Sequence, residues 1–368
     1  MARIATFDDW VDLFHDWQKD IGYDAKLLGD YQFEAKWGDV PTEEIEFGDY
    51  AGGRKWEKLM DIPDQRIRDA LLHLLIYQGD TEFASVEQQR NLIETAPSDY
   101  DLQSLVRVNR EEMRHGLQMC HLLVNHFGTP GKIEAQKMME RRAYKKSRLL
   151  GAFNGDVNNW LDFFTYTHFV DRDGKYQLTM LTHSAFAPLA RSTTAMLKEE
   201  FYHLLTGHTG LQRIVKGKKI PVEIVQKYLN KWIPMCLDLF GTDHSSTAQW
   251  AYVWGLKGRY DEAPGKEAAD KERLNEAARS LYVQEITGLL APINKEIPAD
   301  RPKLFIPDGK FRRGIGEYAG KPYNVRGELL PAEAYERHLR EVLPGPDDEA
   351  RLTEIFKEKN WITSVSQT

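Results

Sequence analysis

Two stretches of the chain decide the fold prediction: VNREEMRHG at residues 108–116 and LKEEFYH at residues 197–203. Each contains a glutamate followed three positions later by a histidine, Glu112 with His115 and Glu200 with His203. Residues three or four apart share one face of an α-helix, and each pair interrupts a stripe of otherwise apolar or small residues. Burying a carboxylate beside an imidazole is costly unless something compensates both groups. Two such pairs therefore predict a dinuclear metal site inside a four-helix bundle.

A bundle site of this kind needs one more carboxylate from each of the other two helices. Glu82 is fifteen residues before Pro97, where the first helix pair turns, and Glu112 is fifteen residues after it. Each arm rises roughly 22 Å at about 1.5 Å per residue, so the two side chains reach the same height. The matched spacing predicts Glu82 as the third carboxylate.

The second helix pair has a similar spacing, because Asp171 is twenty-nine residues before Glu200. Asp171 lies on an apolar helix face and is predicted as the fourth carboxylate. Asp173 also lies on an apolar face and stays open as the alternative. Thr167 and Gly174 are small residues flanking Asp171, and they predict space there for a substrate.

The proposed ligand set has a specific chemistry. Four carboxylates with two neutral imidazoles form an oxygen-rich environment that suits iron or manganese. Two ferrous ions held a few ångström apart can each give one electron to O2. The ligands therefore predict an oxygen-activating centre in which an organic substrate or a reductant supplies the remaining electrons.

Several neighbouring polar residues are predicted to be structural. Glu111 and Glu199 precede the motif glutamates and lie about 100° away around the helix, a solvated position or one beside the ligands. Glu87 does not fit the equal-height rule that selects Glu82. His168 is predicted to be a core histidine with its hydrogen bonds satisfied, with a seventh ligand as the alternative. His208 is predicted to end a helix, where its charge is favourable.

Two further features each allow a second interpretation. Tyr202 is predicted to be a packed tyrosine, with a radical site as the alternative. The basic run RIVKGKK at residues 213–219 is predicted to be a solvated face, with binding of coenzyme A phosphates as the alternative. The stretch GKFRRGIG at residues 309–316 is too poor a match for a nucleotide-binding loop.

Composition and charge exclude several protein classes. The chain has 368 residues, of which 42% are hydrophobic, and its net charge of −7 argues against nucleic-acid binding. We find no apolar run long enough for a membrane span and no basic-then-apolar secretory signal at the amino terminus. Two cysteines do not form a disulfide framework and fit a reducing cytoplasm, where we expect the protein to be.

Periodicity predicts an all-α fold with a ferritin-like four-helix bundle, additional helices and irregular terminal segments. The predicted segments are an N-terminal wrapping segment at 1–63, the bundle at 64–255 and a C-terminal extension at 256–368. Its four long helices are expected at about 64–95, from 98 to the HFGTPG breaker at 126–131, at 158–181, and from 188 to GHTG at 207–210. Helical pieces and a loop are expected between the second and the third. Further helix is expected at 222–239, at 247–256 and near the end of the chain, with hairpins or coil after residue 298. Residues 261–273 are expected to be a solvated linker or a helix surface.

Four stretches carry a resemblance to a known family: residues 78–102, 109–128, 158–178 and 188–210, the last reading PLARSTTAMLKEEFYHLLTGHTG. These stretches resemble the oxygenase components of benzoyl-CoA epoxidases, which are ferritin-like di-iron monooxygenases. The resemblance extends to WGLKGRYDE and FIPDGKFRRGIGEYAG and covers most of the chain from about residue 35. Position by position, it implies that two iron ions are held by Glu82, Glu112, His115, Asp171, Glu200 and His203, and it favours Asp171 over Asp173.

The resemblance also implies an activity. A separate reductase would pass NADPH electrons to the irons, O2 would be the co-substrate, and one oxygen atom would enter an aromatic acyl-CoA as a 2,3-epoxide. Gln78 is predicted to face the substrate. The chain is shorter than the typical family member around residues 260–300, so a hydroxylase or N-oxygenase with a substrate lacking coenzyme A stays open. A radical-generating subunit, a metal-free helical scaffold or a ferritin-like iron-oxidising protein would also account for parts of the pattern.

Overall fold

A computed structural model describes residues 7–23, 31–262, 273–358 and 360–365. The predicted all-α fold class is confirmed, because these residues form helices and only isolated β-bridges, with no strand among them. The helices are α1 (Phe7–Asp20), α2 (Gln65–Gln89), α3 (Asp99–His126), α4 (Gly128–Glu140), α5 (Trp160–Thr182), α6 (Ala187–Gly217), α7 (Val222–Leu239), α8 (Ser246–Val253), α9 (Leu274–Glu296), α10 (Ala332–Val342) and α11 (Pro346–Ile355).

Local capping explains the ends of the first helix pair. The Asp64 side chain accepts a hydrogen bond from the backbone N–H of Arg66 at 2.8 Å and starts α2. Ser98 caps α3 in the same way, through the backbone N–H of Asp101 at 3.2 Å. The expected helix at about 64–95 is correct only to Gln89, because Arg90–Thr95 forms a 3-10 helix before Pro97.

The second helix pair differs from its prediction at one end. The sequence GHTG was expected to terminate α6 at residues 207–210, but the helix continues to Gly217. A Cβ atom on Gly207 would lie 2.3 Å from the backbone nitrogen of His168, and one on Gly210 would lie 2.0 Å from the Phe164 ring. These glycines therefore permit close packing on α5 rather than ending the helix. His208 consequently lies inside α6, and its predicted position at a helix end is wrong.

Two helices differ from the expectation in their position. α4 begins within the stretch HFGTPG that was interpreted as a breaker, and α9 occupies residues 274–296 with Pro292 inside it. The predicted linker at 261–273 lies mostly outside the described residues. After residue 298 the chain forms turns with one isolated bridge between Tyr323 and Leu329, and the charged helix expected near the end is two short helices, α10 and α11.

The chain divides into two compact units. Unit 1 contains residues 1–158, 177–199 and 246–272, and unit 2 contains residues 159–176, 200–245 and 273–368. The division into a wrapping segment, a bundle and a C-terminal extension stays a prediction. None of the helices in the described part of the chain has the length and apolar character that crossing a membrane requires.

Unit 1 has an apolar core with a buried ionic network beside it. Trp17 and Phe83 pack edge to face in that core, with ring centroids 5.1 Å apart. Arg148 is buried and donates to Glu87 at 2.6 Å and to Asp80 at 3.0 Å. The network fixes the connection after α4 against α2, because Asp80 also accepts from the backbone N–H of Leu149.

Unit 2 has an aromatic core. The rings of Tyr166 on α5 and Trp232 on α7 meet edge to face, with centroids 4.9 Å apart. The buried Asp162 carboxylate accepts from the Trp232 ring N–H and from Lys231, both at 2.6 Å. The hydroxyl of Tyr282 on α9 donates to the Phe169 carbonyl at 3.1 Å. These contacts attach α7 and α9 to the first part of α5.

Candidate metal centre

The first Glu-x-x-His pair lies in unit 1. His115 on α3 is fully buried, and its Nδ1 atom is 3.3 Å from Oε2 of Glu82 on α2. Both residues therefore place possible ligand atoms within 4.8 Å of each other. Glu112 is also buried and lies close enough to Glu82 to contribute to the lowered pKa of that carboxyl. α2 and α3 thus bring two carboxylates and one imidazole together in the interior.

Glu199, at the end of the α6 segment that belongs to unit 1, holds the other nitrogen of His115. The Nε2 atom of His115 is 2.8 Å from Oε2 of Glu199. Arg114 donates to the same oxygen through Nε at 2.9 Å, and Lys36 donates to Oε1 at 2.7 Å. A carboxylate only accepts, so we assign the hydrogen to Nε2, which directs Nδ1 to Glu82. Histidine ligands of metals are commonly oriented by a carboxylate in this way.

The electrostatics of this group favour positive charge. Burial by itself would lower the pKa of His115, but the hydrogen bonds with Glu199 and Glu82 outweigh it and the pKa is raised. Burial by itself would raise the pKa of Glu82, but the contacts with His115, Glu112 and Gln78 outweigh it and the pKa is lowered. The carboxylates of Glu82 and Glu199 therefore make the surroundings of the His115 ring negative, an environment that also suits a metal cation.

The second Glu-x-x-His pair lies in unit 2. Glu200 and His203 are both buried on α6, with Oε2 of Glu200 3.4 Å from Nδ1 of His203. Asp171 on α5 is buried too, but among the described residues the ligand-atom grouping within 4.8 Å that contains Glu200 and His203 does not include it. The structure therefore brings the motif pair together, and the assignment of Asp171 as a ligand stays a prediction.

Asp173, the alternative to Asp171, has a different environment. Burial raises the pKa of Cys236 well above its usual value, and the negative charge of Asp173 adds more to this shift than that of Asp171. Asp173 also adds to the raised pKa of the buried Tyr282, which burial mainly causes. The Asp173 carboxylate therefore lies near enough to Cys236 on α7 and Tyr282 on α9 for its charge to affect both groups.

The other residues singled out in the sequence differ in burial and in hydrogen-bond partners. Gln78 is half-buried and donates from Nε2 to Oε1 of Glu82 at 2.5 Å, so it contacts a proposed ligand. A Cβ atom on Gly174 would meet nothing within 4 Å, whereas Thr167 is buried. His168 is buried as expected, but its predicted satisfied hydrogen bonds are wrong, since neither ring nitrogen has a partner in the described part of the chain. Tyr202 is half-buried.

The remaining charged candidates have partners in the chain. Glu111 accepts from Arg107 at 2.9 Å. In the basic run at 213–219, Arg213 donates to the backbone carbonyl of Thr363 at 2.6 Å and Lys219 pairs with Glu358 at 2.8 Å. Part of the run is therefore used within unit 2. Sequence reasoning did not find the roles of Arg114 and Lys36, and Lys36 lies in a segment without a periodic pattern that could indicate one.

Unit 1 and unit 2 offer the same kinds of metal-binding atom. Buried carboxylate oxygens and imidazole nitrogens are offered in unit 1 by Glu82, Glu112 and His115, and in unit 2 by Glu200 and His203. Hard oxygen donors with a minority of imidazole fit iron or manganese better than copper or structural zinc. The described donors thus fit the metal that the sequence predicts.

Comparisons with known proteins agree with this chemistry. A family model described as phenylacetic acid catabolic protein matches residues 58–301. The chain is 33% identical to benzoyl-CoA oxygenase component B of Aromatoleum evansii in an alignment that covers 98% of this chain and 92% of that protein. It is 22% identical to one of the subunits of the 1,2-phenylacetyl-CoA epoxidase of Escherichia coli (strain K12), over 52% of this chain and 60% of that protein.

Proposed function

The chain belongs to the phenylacetic acid catabolic protein family, and on that premise we propose that it is the di-iron oxygenase component of an aromatic acyl-CoA epoxidase. The relatives are named as an oxygenase acting on benzoyl-CoA and an epoxidase acting on phenylacetyl-CoA. The observation that carries the proposal is the buried group of Glu82, Glu112 and His115, in which Glu199 orients the imidazole.

We assign the residues of unit 1 to one iron ion and those of unit 2 to the other. Glu82, Glu112 and His115 would hold the first iron. The second iron would be held by Asp171, Glu200 and His203. Within unit 1, the first assignment is supported by Glu199, whose carboxylate contacts His115.

Bound iron would supply the electrons that reduce O2, and the chain would supply orientation and a dry environment. Burial of the ligand carboxylates excludes bulk water from their first contacts. Glu199 fixes the orientation of the His115 ring, and Gln78 holds one oxygen of Glu82. Gln78 is the residue of this group that we assign to the substrate side.

The substrate in this proposal is an aromatic acyl-CoA, with benzoyl-CoA as the first candidate. One oxygen atom of O2 would enter the ring and give an epoxide. Electrons would come from NADPH through a separate reductase, which the word component in the name of the benzoyl-CoA relative supports. The site of action would be the cytoplasm.

The test is a single-turnover experiment with iron-loaded protein. The protein is reconstituted with ferrous iron, reduced with dithionite, and exposed to oxygen-18 gas with benzoyl-CoA or with free benzoate. We expect two iron ions per chain and one labelled oxygen atom in the thioester product only. Iron oxidation without product from any thioester or acid would instead identify a ferritin-like iron-oxidising protein. Conversion of the free acid alone would remove coenzyme A from the proposal.

A further inference from the structure

A cleft of about 590 Å³ in unit 1 lies beside Glu199, and none of the proposed metal ligands lines it. The segment around Tyr31 to Lys36, the first half of α3 and Glu199 form its lining. This volume is within the usual range of small-molecule sites. Four of its lining side chains are cationic: Lys36, Arg107, Arg110 and Arg114.

Two donor groups in this cleft have no protein acceptor. Arg114 is only 5% exposed, and its Nη1 atom has no hydrogen-bond partner in the described part of the chain. The hydroxyl of Tyr31, a second lining residue, also has no partner there. Leaving a buried donor without an acceptor is unfavourable, and more so for a charged group. A ligand with several acceptor oxygens would satisfy both donors.

The charges in the cleft leave positive charge for such a ligand. Glu111 is paired with Arg107 at 2.9 Å, and Glu199 accepts from both Arg114 and Lys36. Arg110 lines the same cleft, is exposed, and has no ion-pair partner among the residues that the structure describes. The remaining lining carboxylate, Glu34, is exposed to solvent.

We propose that this cleft binds a phosphate group of the coenzyme A moiety of the substrate. The proposal rests on the proposed function, in which the substrate is an acyl-CoA. Arginine is suited to phosphate because its planar guanidinium donates from several nitrogens in a fixed geometry. A concave cleft with a buried guanidinium favours a compact anion over the flat acidic surface of a protein partner.

The position of Arg114 links this cleft to the metal ligands. Its Nε and Nη2 atoms hold Glu199, which holds His115, while Nη1 remains for the phosphate. One guanidinium can therefore contact the substrate phosphate and the carboxylate that orients an iron ligand at the same time. Binding of coenzyme A would then fix Arg114 without displacing Glu199.

The test measures binding of coenzyme A to the full-length chain by calorimetry, without turnover. We expect Arg110→Glu and Arg114→Lys each to weaken coenzyme A binding at least tenfold. Arg114→Lys keeps a positive charge beside Glu199 but loses the planar guanidinium that donates from several nitrogens. The control, Arg66→Glu, makes the same charge change as Arg110→Glu at an exposed arginine outside the cleft and should change the affinity less than twofold.

Two probes identify the group that is bound. Inorganic phosphate should compete with coenzyme A on the wild-type protein and much less on Arg110→Glu. If 3′-dephospho-coenzyme A binds the wild-type protein as weakly as coenzyme A binds Arg110→Glu, the 3′-phosphate occupies the cleft. If its wild-type affinity equals that of coenzyme A and falls in Arg110→Glu, the diphosphate occupies it.

Three results would overturn the assignment. Coenzyme A could bind both cleft variants as tightly as wild type, or Arg66→Glu could lose as much affinity as Arg110→Glu. Alternatively, the variants could bind coenzyme A normally while the KM for an added reductase rises, which would make the cleft a protein-docking site. If the wild-type protein still converts benzoyl-CoA in any of these cases, the proposed function stands and only the assignment of the cleft fails. If the cleft variants lose coenzyme A affinity as expected but no oxygenated product forms, the proposed function fails and the assignment of the cleft stands.

Discussion

Glu82 and Glu87 lie on the same helix, α2, and both are buried, but their partners differ in kind. Glu87 accepts from Arg148 at 2.6 Å, from the Trp17 ring N–H at 2.8 Å and from the backbone N–H of Ala143 at 2.6 Å. Glu82 contacts His115, Gln78 and Glu112, and within the described residues no lysine or arginine lies at ion-pair distance from it.

The difference separates a structural carboxylate from a cation-binding one. A buried charge is tolerated when a nearby opposite charge and hydrogen bonds compensate its lost hydration. Arg148 supplies that charge to both Glu87 and Asp80. The environment of Glu82 has acceptors and an imidazole but no permanent cation from the described part of the chain, which is what a metal site requires. Burial of a carboxylate alone would not have distinguished the two sites.

The largest effect that we predict comes from removing the cation of the structural site. Arg148→Met should lower the free energy of unfolding by about 3–5 kcal/mol, because Asp80 and Glu87 would stay buried without their ion-pair partner. Urea unfolding of the iron-free protein measures this change. Arg66→Met, which removes an exposed ion pair, is the control and should leave the free energy of unfolding nearly unchanged.

If Arg148→Met and Arg66→Met were equally stable, the distinction between Glu87 and Glu82 would fail. That result would mean that the network around Arg148 does not compensate the buried carboxylates. If adding Asp80→Asn to Arg148→Met partly restores the free energy of unfolding, the comparison is sharpened, because the loss is then traced to the uncompensated carboxylates. The double variant keeps the volume of the site while reducing its uncompensated negative charge.

The second prediction exchanges the two glutamates. Glu87→Gln should destabilise the iron-free protein by about 3 kcal/mol and leave iron stoichiometry unchanged, because it breaks a buried ion pair. Glu82→Gln should destabilise the iron-free protein less than Glu87→Gln does, because no lysine or arginine in the described part of the chain lies at ion-pair distance from Glu82. It should also reduce bound iron below two ions per chain, measured by elemental analysis after reconstitution.

The two variants are each other's control, because the same atom change is made on one helix. Retention of two iron ions by Glu82→Gln would contradict its assignment as a ligand. Loss of iron from Glu87→Gln in a folded protein would contradict the distinction between the sites.

The sequence predicted the motif pairs because helical periodicity is local. Residues three or four apart must share a face, so the placement of Glu112 with His115 and of Glu200 with His203 on helix faces needed no tertiary information. The equal-height argument similarly predicted that Glu82 and Glu112 would be level, and the structure brings them into contact. Their role as iron ligands stays a prediction.

The partners that come from outside the helices could not be predicted. Arg148 follows α4 in an irregular connection, and Lys36 lies in a segment without regular structure. The continuation of α6 through Gly207 was missed for a related reason. A glycine that ends a helix and one that permits close packing look the same in a sequence, and only the position of α5 distinguishes them.

The third prediction concerns Glu199, which has both a cation and an imidazole partner and is therefore intermediate between Glu87 and Glu82. Glu199→Gln should weaken iron binding by about tenfold to a hundredfold, the usual effect of losing a carboxylate that orients a histidine ligand. Competition with a ferrous chelator measures the affinity. Glu111→Gln, a change at the equivalent position of the first motif, tests whether the two sites depend equally on such a carboxylate.

A conservative variant separates orientation from structure in this experiment. Glu199→Asp keeps the charge but shortens the side chain, so it should recover part of the iron affinity that Glu199→Gln loses. Full iron affinity in Glu199→Gln would mean that the Nε2 contact does not orient His115.

The smallest effect should come from Lys36, the exposed partner of Glu199. Its side chain is 48% exposed, and an ion pair of that exposure contributes about 0.2–1 kcal/mol. Lys36→Met should therefore lower iron affinity less than about fivefold and less still at high salt, because salt screens exposed charges. Arg114, whose side chain is 7% exposed, would hold Glu199 in the variant. If Lys36→Met lost as much iron affinity as Glu199→Gln, the exposed lysine rather than the buried arginine would fix the carboxylate, and burial would no longer separate strong from weak partners in this molecule.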